Sequence, residues 1–297
     1  MIRSDRARPE GHSKSAPSGH QPEADTWLDL VQAAEARALE PEWRQAVPEP
    51  GSGHDGVPMI DATSIALGES SVRGWLSRVW EIVARGGALG SSTVPAAALE
   101  LHDCATLLVT GISDDVRAVD TVAARLGIER ETLRTIAVVA AMPLLRACRA
   151  AWSGRLPSGW TRGHCPVCGA WPALAEARGL ERERRLRCGR DGTDWAGDWL
   201  RCPYCGNSDH ARLGALVPEQ ERDSRRVETC FACRGYLKGV ATLTAATPVE
   251  VTRWDLASIE LDIAALERGF DRPAPRRERR QPEVRIEPRR SWRWWRA

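Results

Sequence analysis

Apolar residues recur at helical spacing through the first half of the chain and alternate over short stretches in much of the second, with the change near residue 160. Trp27, Leu30, Val31, Ala34 and Ala38 line one face of a helix that Thr26 and Asp29 cap and that runs to about Leu39. Pro41 to Val47 adds a turn or two around Trp43, and the Pro- and Gly-rich stretch 48–58 reads as a loop. Ser71 is placed to cap a helix burying Val72, Trp75, Leu76, Val79, Trp80 and Val83, which Gly86-Gly87 ends. Another starts at Pro95, carries Leu99, Leu101, Leu107 and Leu108, and stops at Gly111. Ser113 caps the next, with Val116, Val119, Val122 and Leu126 before Gly127. The longest spans about Glu129 to Trp152, turns Leu133, Ile136, Val139, Ala140, Leu144 and Cys148 inward, and is expected to kink at Pro143. Cys104 and Cys148 sit alone among apolar neighbours and read as small core residues.

Beyond the turn residues 155–160 the period becomes that of short strands: 173–177, 185–188, 195–201, 213–217, 226–230 and 236–243. Val249 to Phe270 returns to helical spacing, with Leu256, Ile259, Ile263 and Leu266 as its inward face. The two ends lack any core-forming period. The pattern predicts a disordered tail 1–24, a helical domain 25–160, a tandem metal-knuckle domain 161–246, a C-terminal helical segment 247–270, and an Arg- and Trp-rich tail 271–297.

Seven of the nine cysteines fall in the strand-rich part, and their spacing carries the chemistry. Cys165-Pro-Val-Cys168-Gly, Cys188-Gly-Arg-Asp191, Cys202-Pro-Tyr-Cys205-Gly and Cys230-Phe-Ala-Cys233 are four knuckles. A Cys-x-x-Cys turn converges two thiolates on one ion, and a following Gly relieves the tight backbone. Intervals of 19 residues after Cys168 and 24 after Cys205 suit a hairpin that returns one knuckle to another, giving two ribbon-type sites. Cys202, Cys205, Cys230 and Cys233 form a full thiolate set. The other has Asp191 in place of a fourth Cys beside Cys165, Cys168 and Cys188, and its harder oxygen makes it the weaker or more open site. His164 and His210 lie close by but have no knuckle spacing and read as surface residues. Iron and zinc both accept tetrahedral sulfur, so one or two ions of either metal fit, and sequential and interleaved pairing of the knuckles are both open. A region with so few large apolar side chains needs its metals to fold.

The net charge of +2 conceals an asymmetry, because residues 272–297 hold ten Arg and three Glu. Cys165 to Ala246 carries thirteen Lys or Arg against eleven Asp or Glu, which weighs against a nucleic-acid surface. Ile136 to Leu145 is the longest apolar run and is short of a membrane span. The first residues have no apolar run behind their charges, so a cytoplasmic protein with reduced cysteines is expected.

Taken together, the helical half, the four knuckles, Arg226-Val-Glu228-Thr-Cys230-Phe-Ala-Cys233-Arg-Gly-Tyr236-Leu-Lys238 and the later Asp255-Leu-Ala-Ser-Ile-Glu-Leu-Asp262 resemble the FdhE family, the accessory proteins of formate dehydrogenase. The resemblance implies an α+β fold: an N-terminal α-helical bundle, tandem rubredoxin-like or zinc-ribbon β knuckles, and a C-terminal helix. It also implies a cytoplasmic maturation factor that binds the catalytic subunit of a molybdenum- or tungsten-dependent formate dehydrogenase and turns over no small substrate. The seven knuckle cysteines are its metal positions, and Asp191 departs from the family's Cys. Arg226, Glu228, Tyr236, Lys238 and Asp255 belong to its motifs. No catalytic residue is assigned, since no phosphate loop, Ser/His/Asp set or framed carboxylate pair stands out. Two other readings compete: a zinc-ribbon protein that binds nucleic acid, and a rubredoxin-type electron carrier.

Overall fold

A computed structural model describes residues 22–53, 55–87, 98–218, 224–274 and 280–288. Its α+β fold sets a helical half against one six-stranded sheet. The expected start at Pro95 and nearly all of the predicted N-terminal tail lie outside the described residues. Helices α1 (Pro22–Ala38), α2 (Pro41–Gln45), α3 (Glu69–Arg85), α4 (Leu101–Ser113), α5 (Val116–Leu126) and α6 (Arg130–Trp152) build the first half. α1 begins four residues ahead of the expected Thr26 cap. Gly68, not Ser71, is the N-cap of α3. Within α4, Gly111 does not stop the helix; a Cβ there would lie 2.0 Å from the Ala137 carbonyl, so the glycine lets α4 press against α6. The helix runs to Ser113, whose hydroxyl donates to Val109 O, and Asp115 caps α5 in its place. The apolar faces of these helices meet in one core, with Trp75 and Trp152 buried and their indole N–H groups given to the Ala140 and Pro48 carbonyls. Residues Arg130–Arg155 are long and apolar enough to cross a membrane, yet 72% of that stretch's apolar window is buried in this core.

The sheet has the order β4-β3-β2-β7-β6-β5, with β2 (Leu174–Arg178), β3 (Glu183–Arg187), β4 (Asp194–Ala196), β5 (Leu213–Leu216), β6 (Arg225–Cys230) and β7 (Tyr236–Thr242). β2, β3 and β4 form one antiparallel meander and β5, β6 and β7 another; the two join where β2 pairs in parallel with β7, Ala175 opposite Gly239. Each meander has a knuckle before its first strand and another between its second and third, so the halves are two copies of one unit laid head to tail. The predicted strand 195–201 ends at Ala196, because the chain turns there and sends Trp199 back to the Arg182 carbonyl.

Two differences from the sequence reading concern the C-terminus. Residues 249–270 are not one helix. α7 (Pro248–Leu256) and α8 (Ile259–Glu267) are separated at Ser258, where Lys238 draws in the Asp255 carbonyl at 2.6 Å. The break rotates α8, so Leu261 and Ala265 face the sheet while Ile259, Ile263 and Leu266, expected inside, stand 42–52% exposed. Nor is 271–297 simply a tail: β8 (Glu283–Glu287) pairs in parallel with β1 (Ser64–Gly68), and the Val284 and Ile286 side chains reach the helical core. Glu283–Glu287 is thereby stitched to the strand that leads into α3.

Candidate metal centres

Four turns of nearly identical backbone carry the donors. In each, the N–H of the first Cys bonds to the carbonyl five residues on: Cys165 to Ala170, Cys188 to Thr193, Cys202 to Asn207 and Cys230 to Gly235, all at 2.9 Å. The residue four positions after that Cys takes positive φ: Gly169 (73°), Gly192 (77°), Gly206 (74°) and Arg234 (60°). Glycine adopts this conformation freely; Arg234 does so with a Cβ. Its guanidinium is held in return, donating to the Gly269 and Arg268 carbonyls and lying 4.3 Å over the Phe270 ring.

The pairing is sequential. Cys202, Cys205, Cys230 and Cys233 converge, as do Cys165, Cys168, Cys188 and Asp191, and within each group the donor atoms lie within 4.8 Å of one another, so that each could hold a metal ion. A tetrahedral ion with bonds of about 2.3 Å to sulfur spaces its ligands roughly 3.8 Å apart. In the second group Cys202 and Cys233, and Cys205 and Cys230, are each 3.7 Å apart. The first is drawn tighter, with Cys168 and Cys188 at 3.4 Å and the Cys165 thiol donating to Asp191 Oδ2 at 3.2 Å. The other Asp191 oxygen accepts the Thr193 N–H at 2.8 Å, which aims the carboxylate.

Burial separates the two. All four donors of the first centre are buried, whereas Cys205 and Cys233 of the second are exposed. Burial pushes the Asp191 carboxyl up to about 7, and the Cys188 charge adds to it. Burial also opposes charge on Cys188, but hydrogen bonds from Cys165 and Cys168 and from backbone amides outweigh it and hold that thiol well below the usual range. In the second centre Cys230 is likewise held low by the Cys233 and Ala232 amides against burial. The expectation that Asp191 makes a more open site is therefore reversed in the geometry: the carboxylate centre is the enclosed one. It is also the one keyed to the helices. Arg190 donates to the Gly111 carbonyl at 3.0 Å and pairs with Asp114, while the buried Arg146 donates to the Arg190 carbonyl at 3.1 Å and pairs with Glu35.

His164 does not join the donors, and it is not a surface residue. Its ring is buried and bonds to the Gly56 carbonyl at 3.0 Å. His210 is exposed in a short turn ahead of β5.

The other motif positions fall on the two faces of the second meander. Tyr236 and Lys238 point toward α8. Lys238, 1% exposed, lies 2.6 Å from Asp262 and 2.8 Å from Asp255; Arg272 reaches the same two carboxylates at 3.1 and 2.9 Å, and the Tyr236 hydroxyl donates to Asp262 at 2.8 Å. Two cations thus meet two anions between sheet and helix. On the opposite face Glu228 accepts from Arg184 at 2.5 Å and stands 3.5 Å from Arg226. Neither Arg272 nor Arg184 stood out in the sequence, where both are single members of Arg-rich stretches.

Fold and sites together define a knuckle protein, with two four-donor centres in one sheet and one of them locked into a helical body. Residues 200–277 match the family model described as FdhE, C-terminal domain. The chain is 32% identical over 114 residues to an FdhE homolog of Aquifex aeolicus (strain VF5), covering 37% of this chain and 40% of that protein. It is 36% identical over 115 residues to one of Haemophilus influenzae (strain PittEE), covering 37% and 36%. The matches thus span about two fifths of these relatives' length. The crystal structure of the FdhE protein from Pseudomonas aeruginosa superposes with a TM-score of 0.48 at 20% identity, over 86% of this chain and 93% of that one. Over residues 200–277 the chain is similar to the C-terminal domain of FdhE proteins.

Proposed function

We propose that the chain is a cytoplasmic accessory factor that binds the catalytic subunit of a molybdenum- or tungsten-dependent formate dehydrogenase and supports its assembly, with no turnover of its own. The observation that carries this is the match over 200–277, which takes in the second four-cysteine group and the Tyr236–Lys238–Asp255 network in one piece. Cys165, Cys168, Cys188 and Asp191 would hold one ion and Cys202, Cys205, Cys230 and Cys233 another, iron or zinc. Donor spacing and chemistry fit both groups. When bound, each ion supplies a cross-link between two knuckles that the short strands cannot replace. The chain's own residues hold the surrounding surfaces: Lys238 fixes the turn between α7 and α8, and Arg190 and Arg146 fix the first centre against the helices. The test is co-purification of the tagged chain with the purified catalytic subunit, with metal analysis of the same sample. Absence of a complex at micromolar concentrations refutes the reading. Exposure of Cys205 and Cys233 favours a second reading, electron transfer at that centre if iron fills it. A redox titration followed by visible absorption decides it.

A further inference from the structure

The sheet face turned away from α8 carries a cleft beside the second centre, with Cys202 and Cys230 in its lining. One part, about 220 Å³, is floored by β5 to β7 and walled by Trp199 and Tyr204. It adjoins a second part of about 610 Å³ that reaches Trp160 and Trp171, and Arg184 and Arg201 line both. Arg184 and Arg226 are counterparts in the repeat, each four residues before the first donor of its unit's second knuckle, Cys188 or Cys230. Both guanidiniums face the Trp199 ring, at 5.8 and 4.4 Å.

One carboxylate, Glu228, serves both. It bonds Arg184, while its other oxygen and the Arg226 Nε are buried with no hydrogen-bond partner among the described residues. Arg201 is exposed and has no ion pair among the described residues. Among the described residues that line the cleft, Arg162, Arg184, Arg201 and Arg226 exceed Asp198 and Glu228 by two positive charges, beside apolar walls. At 3.5 Å the Arg226 Nε and Glu228 are an ion pair too long for a good hydrogen bond, and a guanidinium so placed can take up an incoming carboxylate in a charge-assisted pair.

We propose that this cleft holds an extended acidic segment of a polypeptide, with a carboxylate between Arg201 and Arg226 and an apolar side chain against Trp199 and Tyr204. The inference rests on the reading above that the chain handles a protein client, and it names the chemistry of the segment held. A nucleic-acid strand brings a phosphate with every nucleotide and calls for a longer basic track than four guanidiniums offset by two carboxylates. An acidic peptide needs only the pair.

The test uses the full-length, metal-loaded chain and a fluorescein-labelled peptide alternating Glu with Trp and Leu, its Lys-for-Glu counterpart, and an oligothymidine. Fluorescence anisotropy should show saturable binding of the acidic peptide alone. Arg201→Glu should weaken it by about tenfold or more, while Arg44→Glu in α2 leaves it unchanged. Arg226→Gln, checked for metal content and circular dichroism, should weaken it too and stands in if Arg201→Glu does not fold. Equal binding of the two peptides, or parental affinity in a folded Arg201→Glu or Arg226→Gln chain, overturns the proposal. So does displacement of the acidic peptide by stoichiometric oligothymidine, in favour of nucleic acid. Capture of the purified formate dehydrogenase catalytic subunit by parent and Arg201→Glu alike overturns the cleft and leaves the proposed function standing. Peptide binding without capture of that subunit by the parent supports the cleft and removes the proposed function.

Discussion

Replacing Lys238 by Met tests whether the charge network between sheet and α8 is a stabilising element. The ammonium is 1% exposed and touches two carboxylates, Asp262 at 2.6 Å and Asp255 at 2.8 Å, as well as the Asp255 carbonyl. Met fills the stem's volume but leaves both carboxylates to Arg272, whose side chain is 39% exposed. Breaking a buried pair costs about 3–5 kcal/mol, and the partial exposure of both acids sets the expectation at the lower end, about 3 kcal/mol. For a chain of this size that is a fall in Tm of roughly 6–12 °C. The pH dependence follows from Asp262. Burial opposes its charge, but Lys238 and Tyr236 outweigh burial and hold the carboxyl below its usual value. A depressed carboxyl adds stability that is complete above its unfolded pKa and disappears as pH falls through the folded one. The gap between parent and Lys238→Met should therefore be full at about pH 7 and shrink below about pH 4. Urea melts of both chains at the two pH values measure it, and acid effects on the metal centres are shared by both. A gap under about 1 kcal/mol at neutral pH, or one that does not shrink in acid, refutes the reasoning.

Deleting residues 281–297 removes β8 and uncovers Ile65 and Leu67, now 1% and 2% exposed; thermal melting should fall by several degrees, and an unchanged midpoint would mean the strand pair contributes nothing. Cys230→Ser should leave the helical half folded by circular dichroism while opening the chain after about residue 163 to protease, and equal resistance of mutant and parent argues against a folding role for that centre. Asp191→Cys replaces a hard oxygen by sulfur and should slow loss of the first centre's ion to a chelator; identical rates would show that burial, not the donor, governs release. In Gly163→Ala the new methyl would lie 1.8 Å from the Pro203 carbonyl, so the mutant should melt earlier and lose affinity for the acidic peptide, and parental behaviour in both would place that contact outside the cleft's support.

What was legible in the sequence was local. Helical spacing revealed the apolar faces of α3, α5 and α6, and the Cys intervals brought out both donor groups, because a knuckle is encoded within five residues. Pairing of β1 with β8 was hidden: Ser64–Gly68 and Glu283–Glu287 lie too far apart in the sequence to signal each other. The break at Ser258 was missed because its cause, Lys238, lies on another element. Helical spacing ran unbroken across the break, so Ile259, Ile263 and Leu266 were placed on the wrong side. Gly111 looked like a stop since a glycine required by helix crossing and one that ends a helix are the same letter. Of the cleft arginines only Arg226 had been picked out, as a motif position; Arg162, Arg184 and Arg201 were missed for the same reason of distance, although the repeat offset shared by Arg184 and Arg226 could have paired those two.

The head-to-tail joining of the two meanders has no built-in stop. In principle a further copy could add its third strand to the outer side of β5, as β7 adds to β2, and the series could continue from chain to chain. The outer strands oppose this. At the inner joint a seven-residue β7 meets a five-residue β2, whereas the free ends offer only the three residues of β4 and the four of β5. A joint between molecules would have less than half the strand length of β7 to work with, which keeps a self-complementary array finite.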